Sequence, residues 1–137
     1  MNDFDFAGKT VLVTGSSMGI GEAFARELDA RGARLVLVAR SEDKLRALAS
    51  RLQNAQVLAE DLGAPGAARR VFDEVVRRGV EIDVLINNAG FGEHGAFLDV
   101  PLEAQRGQIA LNIGALVELT HAFLPMIERR QIGRAHV

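Results

Sequence analysis

A short apolar strand that runs straight into a glycine-rich turn and then a helix leaves a chain few ways to fold. Here Thr10-Val11-Leu12-Val13-Thr14, rich in β-branched residues and bounded by Gly8 and Gly15, reads as a buried strand. Beyond the turn, Ile20, Phe24 and Leu28 recur at helical spacing and are expected to form the inward stripe of a helix that stops near Gly32. The same unit then recurs. Leu35 to Ala39 is a second strand, and Leu45, Leu48 and Leu52 stripe a second helix, with Ser41 as its cap and Glu42 and Asp43 in its first turn. Gln56 to Ala59 is a weaker third strand. Ala68, Phe72, Val75 and Val76 stripe a third helix ending near Gly79, and Ile82 to Ile86 is a strongly apolar fourth strand.

Near-continuous apolar strands joined by helices are the mark of a parallel sheet covered on both faces. Right-handed crossovers then give an α/β, Rossmann-type doubly wound parallel sheet. From Pro101 to Arg130 the pattern is one long helical stretch, broken at most once, with Ile109, Ile113, Leu116, Phe123, Leu124 and Ile127 inward and Pro125 expected to loosen it. No strand is expected after it, so the sheet is read as truncated after the fourth strand and this helix. The 137 residues suffice for one domain, read as 1–130 and incomplete.

Composition removes several function classes. The formal charge of -2 argues against a nucleic-acid partner, and Arg69-Arg70 and Arg77-Arg78 read as a solvated helix face. With no cysteine and three dispersed histidines (His94, His121, His136), no metal-ligand spacing exists. No uninterrupted apolar run reaches the ~20 residues of a membrane span, and Met1 to Asp5 lacks the layout of a signal peptide. The expectation is a cytoplasmic protein with no membrane partner.

The chemistry is concentrated in Thr14-Gly15-Ser16-Ser17-Met18-Gly19-Ile20-Gly21, with spacing G-x-x-x-G-x-G. A helix start offers unpaired N–H groups and a positive dipole end to a pyrophosphate. Side chains at the glycines would block the turn, the approach to phosphate and the packing of helix on strand. A glycine-rich turn without purpose is the bland alternative, and the strand-before, helix-after context weighs against it.

This segment resembles the cofactor loop of the short-chain dehydrogenase/reductase family, and three more segments match in the family's order. Asp61-Leu62 resembles the acidic position after the third strand that approaches the adenine. Asn87-Asn88-Ala89-Gly90 resembles the NNAG motif, and Asn112 matches the asparagine of the long helix. The resemblance runs from about Phe6 to Arg130. It implies Gly15, Ser17, Met18, Gly19, Ile20, Gly21, Asp61, Leu62, Asn88, Ala89 and Gly90 as cofactor-binding positions. It also implies Asn112 as a member of a proton relay with serine, tyrosine and lysine. Asp61 could equally initiate a turn, and the NNAG segment could merely end a strand. A strand end at the switch-point crevice is nevertheless where ligands bind.

The resemblance also makes cofactor choice readable. Ala39 stands where the family's NAD-specific members carry an acid, while Arg40 offers a fork of donors suited to a 2′-phosphate and Ser41 adds a hydroxyl. NADP(H) is therefore favoured over NAD(H), against the alternative of a solvent-facing arginine. The family reduces carbonyls or oxidises alcohols, so the resemblance implies a small-molecule carbonyl or alcohol substrate and a homo-oligomer for the full-length parent. The relay's serine, tyrosine and lysine would follow the long helix. This chain has no tyrosine, and its two lysines, Lys9 and Lys44, lie in the cofactor half. The expected competitors are a fragment of an oxidoreductase and a non-catalytic dinucleotide-binding module. Residues 131–137 are read as a non-native tail: ATC GGA AGA GCA CAC GTC would encode Ile132 to Val137 and matches the start of a common sequencing adapter.

Overall fold

The computed structural model describes residues 4–130 and the backbone of 134–136. Strands β1 (Thr10–Thr14), β2 (Arg34–Ala39), β3 (Ala55–Ala59) and β4 (Val84–Ile86) alternate with helices α1 (Gly19–Ala30), α2 (Glu42–Ala49) and α3 (Ala67–Arg77). After β4 come α4 (Leu102–Ile109), a π-helical segment (Ala110–Ala115), α5 (Leu116–Arg129) and a short β5 (Arg134–His136). The strands lie parallel in the order β3-β2-β1-β4-β5. The chain thus starts at the centre, winds outward through β2 and β3, then returns to the other side of β1 for β4. That reversal opens a crevice at the carboxyl ends of β1 and β4.

Two-residue alternation divides the sheet's side chains between two layers. Leu12, Val36, Val38 and Leu85 meet α3 and α5 through Val71, Val75, Leu119, Phe123 and Ile127. Val11, Val13, Leu35 and Leu37 meet α1 and α2 through Ala25, Leu28, Leu45 and Leu48. The doubly wound sheet expected from the sequence is the fold of this chain.

Several helix faces differ from expectation. In α1 the buried positions are Gly21, Ala25, Leu28 and Asp29, whereas Ile20 and Phe24 are 70% and 42% exposed. Small residues at Gly21 and Ala25 bring the helix axis close to the sheet, which a stripe of large side chains would hold away. In α3, Val71 is inward and Val76 outward, and Phe72 packs edge-on against Phe123. Leu52 lies beyond the end of α2 and only flanks the core. Ile82 and Asp83 are buried but precede the β4 ladder; Asp83 is tied to β1 twice, its N–H donating to the Thr10 carbonyl and its carboxylate accepting the Thr10 N–H, each at 2.9 Å.

The long helical stretch changes pitch at Ala110–Ala115, not at Pro125, which lies inside α5. The wider turn rotates what precedes it, so Ile109 and Ile113 are exposed and the inward residues are Ala115, Leu119, Phe123, Met126 and Ile127. Leu124 is also partly exposed. Taken whole, Leu102–Arg129 is a 28-residue helix long and apolar enough, by length and composition, to cross a bilayer. Counting uninterrupted apolar residues misses it because Glu118 and small polar residues are spaced along it.

A fifth strand also stands where none is expected. Arg134, Ala135 and His136 pair in parallel with Val84, Leu85 and Ile86. The open edge of β4 offers backbone N–H and C=O groups, and edge pairing is satisfied by backbone whatever the side chains. Of the tail, Gln131 to Gly133 and Val137 lie outside the described residues.

Candidate functional site

The crevice floor is organised by Thr14, the last residue of β1 and 1% exposed. Its Oγ1 accepts the N–H groups of Asn88 and Ala89, each at 2.9 Å, and donates to the Ile86 carbonyl at 3.4 Å. One hydroxyl therefore ties the end of β1 to the chain leaving β4. Asn88 completes the tie by donating its Nδ2 to the Gly15 carbonyl at 3.2 Å. Gly15 itself hydrogen-bonds Val38 of β2 through its N–H, at 2.8 Å.

The glycines are needed for different reasons. Gly15 (φ +64°) is both left-handed and crowded, since a Cβ there would lie 2.9 Å from Ala89 Cα. Gly21 has ordinary backbone angles, but a Cβ on it would overlap the Gly15 carbonyl and come within 2.5 Å of Asn88 Nδ2. Gly19 (φ +58°) faces open space and is required by conformation alone. Helix α1 begins at this turn with Met18 as its N-cap, and no side chain caps it. Its first N–H groups and its dipole are thus presented to the crevice.

Around this turn lies a cleft of about 850 Å³. Of the residues expected at the site, Gly15, Ser17, Met18, Ile20, Arg40, Ser41, Asp61, Leu62, Asn88, Ala89 and Gly90 all line it. Gly19 and Gly21 shape the turn without lining the cleft. Asn112, in the π-helical segment, holds the cleft's rim: its Oδ1 accepts the Phe91 N–H at 3.0 Å and its Nδ2 donates to the Phe91 carbonyl at 2.8 Å. Gly90 permits this approach, because a Cβ there would sit 3.0 Å from Asn112 Oδ1. Asn87 turns away from the cleft and donates to Thr120 Oγ1 at 3.0 Å. Asp61 also makes the expected turn, its Oδ1 accepting the Gly63 N–H at 3.0 Å.

Sequence reasoning misses Lys44, Glu60 and Phe91 at this site, and gives Thr14, the first residue of the glycine motif, no role of its own. Thr14 is indistinguishable from any β-branched strand residue until β4 is placed beside it. Lys44 and Glu60 line the cleft next to Arg40, on elements that only the fold brings together. A separate apolar cavity of about 500 Å³ lies between α1 and β4, lined by Phe6, Phe24, Leu28 and Ile86 among others. Its polar lining is committed within the protein: Arg31 pairs with Glu27, and the Asn87 and Asn88 amides donate to Thr120 and to the Gly15 carbonyl.

The family model described as short chain dehydrogenase matches residues 9–135. The chain belongs to the short-chain dehydrogenase/reductase family. Among curated short-chain relatives, bovine (Bos taurus) dehydrogenase/reductase SDR family member 7B is 38% identical over 132 residues, which cover 88% of this chain and 41% of that protein. The 3-oxoacyl-(acyl-carrier-protein) reductase FabG of Escherichia coli (strain K12) is 31% identical over 131 residues, covering 95% and 54%. Among solved structures, L-sorbose reductase from Gluconobacter frateurii complexed with NADPH and L-sorbose superposes with a TM-score of 0.87 at 31% identity, covering 98% of this chain and 53% of that one. A short-chain dehydrogenase from Sphingobium yanoikuyae in complex with NADPH gives 0.85 at 37% identity, covering 93% and 51%. The chain thus spans about half the length of the short-chain dehydrogenases it matches.

The residues present suit a dinucleotide. The uncapped start of α1 provides donors for a pyrophosphate, and the close packing that the absent Cβ atoms of Gly15, Gly21 and Gly90 allow against Ala89, Asn88 and Asn112 sets the turn and the β4 exit around the cleft. At the end of β2 the cleft carries Ala39, Arg40 and Ser41. Ser41 Oγ accepts the Lys44 N–H at 3.4 Å to cap α2, which leaves its own proton free to donate.

Proposed function

We propose that this chain is the cofactor-binding part of an NADP(H)-dependent oxidoreductase acting on a small carbonyl or alcohol substrate. The carrying observation is the cleft in which the uncapped α1 start, Arg40 and Ser41 converge with no acid at position 39. A nicotinamide cofactor bound there would supply hydride transfer. The protein's part is positional. The α1 N–H groups and Ser17 hold the pyrophosphate, Arg40 and Ser41 hold the 2′-phosphate, and Asp61 with Leu62 borders the adenine. The Asn88-Ala89-Gly90 segment supports the nicotinamide half, and Asn112 keeps that segment's continuation in place through Phe91. NADPH-bound structures among its relatives support the cofactor reading.

The 137 residues include no tyrosine. That favours a second reading of this chain alone, a dinucleotide-binding module without turnover. Exposed Ile109, Ile113 and Val117, four residues apart on one helical stretch, support association of copies in the full-length parent. Calorimetric titration tests the cofactor assignment. NADPH should bind about ten- to a hundredfold more tightly than NADH, the worth of a charge-assisted hydrogen bond, and Arg40→Ala should erase most of the difference. Equal affinities in the unsubstituted chain would refute the NADP(H) assignment. NADPH consumption proportional to added aldehyde or ketone would refute the inactivity of this chain.

A further inference from the structure

The sheet places an acid beside the very position where the sequence has none. Glu60 directly follows β3, and its N–H donates to the Ala39 carbonyl at 3.0 Å. Its side chain, 17% exposed, lines the same cleft as Arg40 and Ser41. A free carboxylate here would act across the sheet as an acid at position 39 would act in line. It would attract ribose hydroxyls and repel a 2′-phosphate.

Glu60 is not free. Arg70, in the first turns of α3, donates to it through Nη2 at 2.8 Å and through Nε at 3.2 and 3.3 Å. The guanidinium is anchored on its other side by the Pro65 carbonyl, 2.8 Å from Nη1. A cation near a helix start opposes the dipole, so this arginine stands where local helix energetics disfavour it. Glu60 compensates and raises its pKa above the ordinary value. Two other acids nearby are engaged as well, and Asp43, in the first turn of α2, is exposed and does not line the cleft. Glu42 is held by Arg46 at 2.6 Å, and Asp61 by the Gly63 N–H. Arg40 and Lys44, by contrast, have no carboxylate within salt-bridge distance among the described residues. Of the acids that line the cleft, Glu60 is held by Arg70 and Asp61 by the Gly63 N–H, while the cations Arg40 and Lys44 remain available.

We propose that Arg70 is a specificity-determining residue that acts through Glu60: by holding that carboxylate it keeps the end of β2 receptive to a 2′-phosphate. This rests on the NADP(H) reading above. Arg70 is a positioning residue and need not touch the cofactor.

The test is the ratio of NADPH to NADH dissociation constants for the full chain, at low and moderate salt, in the unsubstituted protein, Arg70→Ala, Glu60→Gln and the double variant. Arg70→Ala should shift the ratio toward NADH by about tenfold, the scale of unit charges roughly 12 Å apart at an effective dielectric of about 20. Salt should shrink that shift. Adding Glu60→Gln should restore the original ratio, and Glu60→Gln alone should keep it or favour NADPH further. Arg70→Gln, closer in size, should repeat the alanine result if the smaller side chain impairs folding. An unchanged ratio in both Arg70 variants would overturn the proposal. So would a loss that Glu60→Gln fails to restore, since that would make Arg70 a direct phosphate ligand or a structural residue. A ratio of one in the unsubstituted chain would instead refute the NADP(H) reading, while the shift on substitution would still score Arg70.

Discussion

Thr14→Val exchanges a hydroxyl for a methyl of nearly the same shape and so removes hydrogen bonds without opening a cavity. Oγ1 accepts two backbone N–H groups, from Asn88 and Ala89, both at 2.9 Å. Each amide left unpaired costs about 1–3 kcal/mol when buried. Both are only part-buried here, so the lower end applies, about 2–3 kcal/mol in total. The 3.4 Å bond to Ile86 adds little. Against a typical total of roughly 5–15 kcal/mol this is a large fraction, and it should lower the thermal midpoint by about 5–15 °C. With no tryptophan or tyrosine in the chain, urea and thermal unfolding followed by far-UV circular dichroism is the suitable assay. Thr14→Ser keeps the hydroxyl and should retain most of the stability. A valine variant that unfolds with the unsubstituted midpoint, or a serine variant as weak as the valine one, would refute the role given to the hydroxyl.

Gly21→Ala should destabilise by about 1–3 kcal/mol through overpacking against Gly15 and Asn88, and should weaken NADPH binding, because the turn itself must shift. Gly19→Ala should cost about 1–2 kcal/mol through its φ of +58° alone, measured by the same urea unfolding. Arg130→Gln should cost about 1.5–3 kcal/mol, because Asp83 is 0% exposed and would keep only the Thr10 N–H as partner. Hydrogen bonds from Arg77 and Arg78 hold the Glu74 carboxyl down at about 2, from an ordinary 4.5. A depressed folded-state pKa gives stability that is present above 4.5 and lost as pH falls toward 2, so Glu74→Gln should flatten acid unfolding across that window.

Much of the architecture is legible in the sequence because a parallel sheet buried on both faces demands it. Val11 to Val13 and Leu35 to Val38 have no polar face to offer, so their burial follows from composition alone. The turn at Gly15 to Gly21 is legible for the same reason: few other settings place three glycines between strand and helix. Helix rotation is less legible. Ile20 and Phe24 continue the period of Leu28, but burial in α1 follows close packing at Gly21 and Ala25. The π-helical segment is invisible to periodicity, since one widened turn shifts Ile109 and Ile113 outward without any breaking residue. Strand β5 is invisible because its pairing is a backbone property of the β4 edge. At the site, residues adjacent in sequence to a motif are found readily. Glu60 and Arg70 meet only after β3 and α3 are packed, and no local pattern announces the pair.

Amide chemical-shift mapping of the isotopically labelled chain during NADPH titration most directly tests the claim that this crevice is a dinucleotide site. Saturable perturbations should centre on the backbone N–H groups of Gly15 to Gly21, on Arg40 and Ser41, and on Asn88 to Gly90. The apolar cavity at Phe6, Phe24 and Leu28 should remain unchanged. Perturbations confined to that cavity, or none at millimolar cofactor with the sheet resonances intact, would contradict the account.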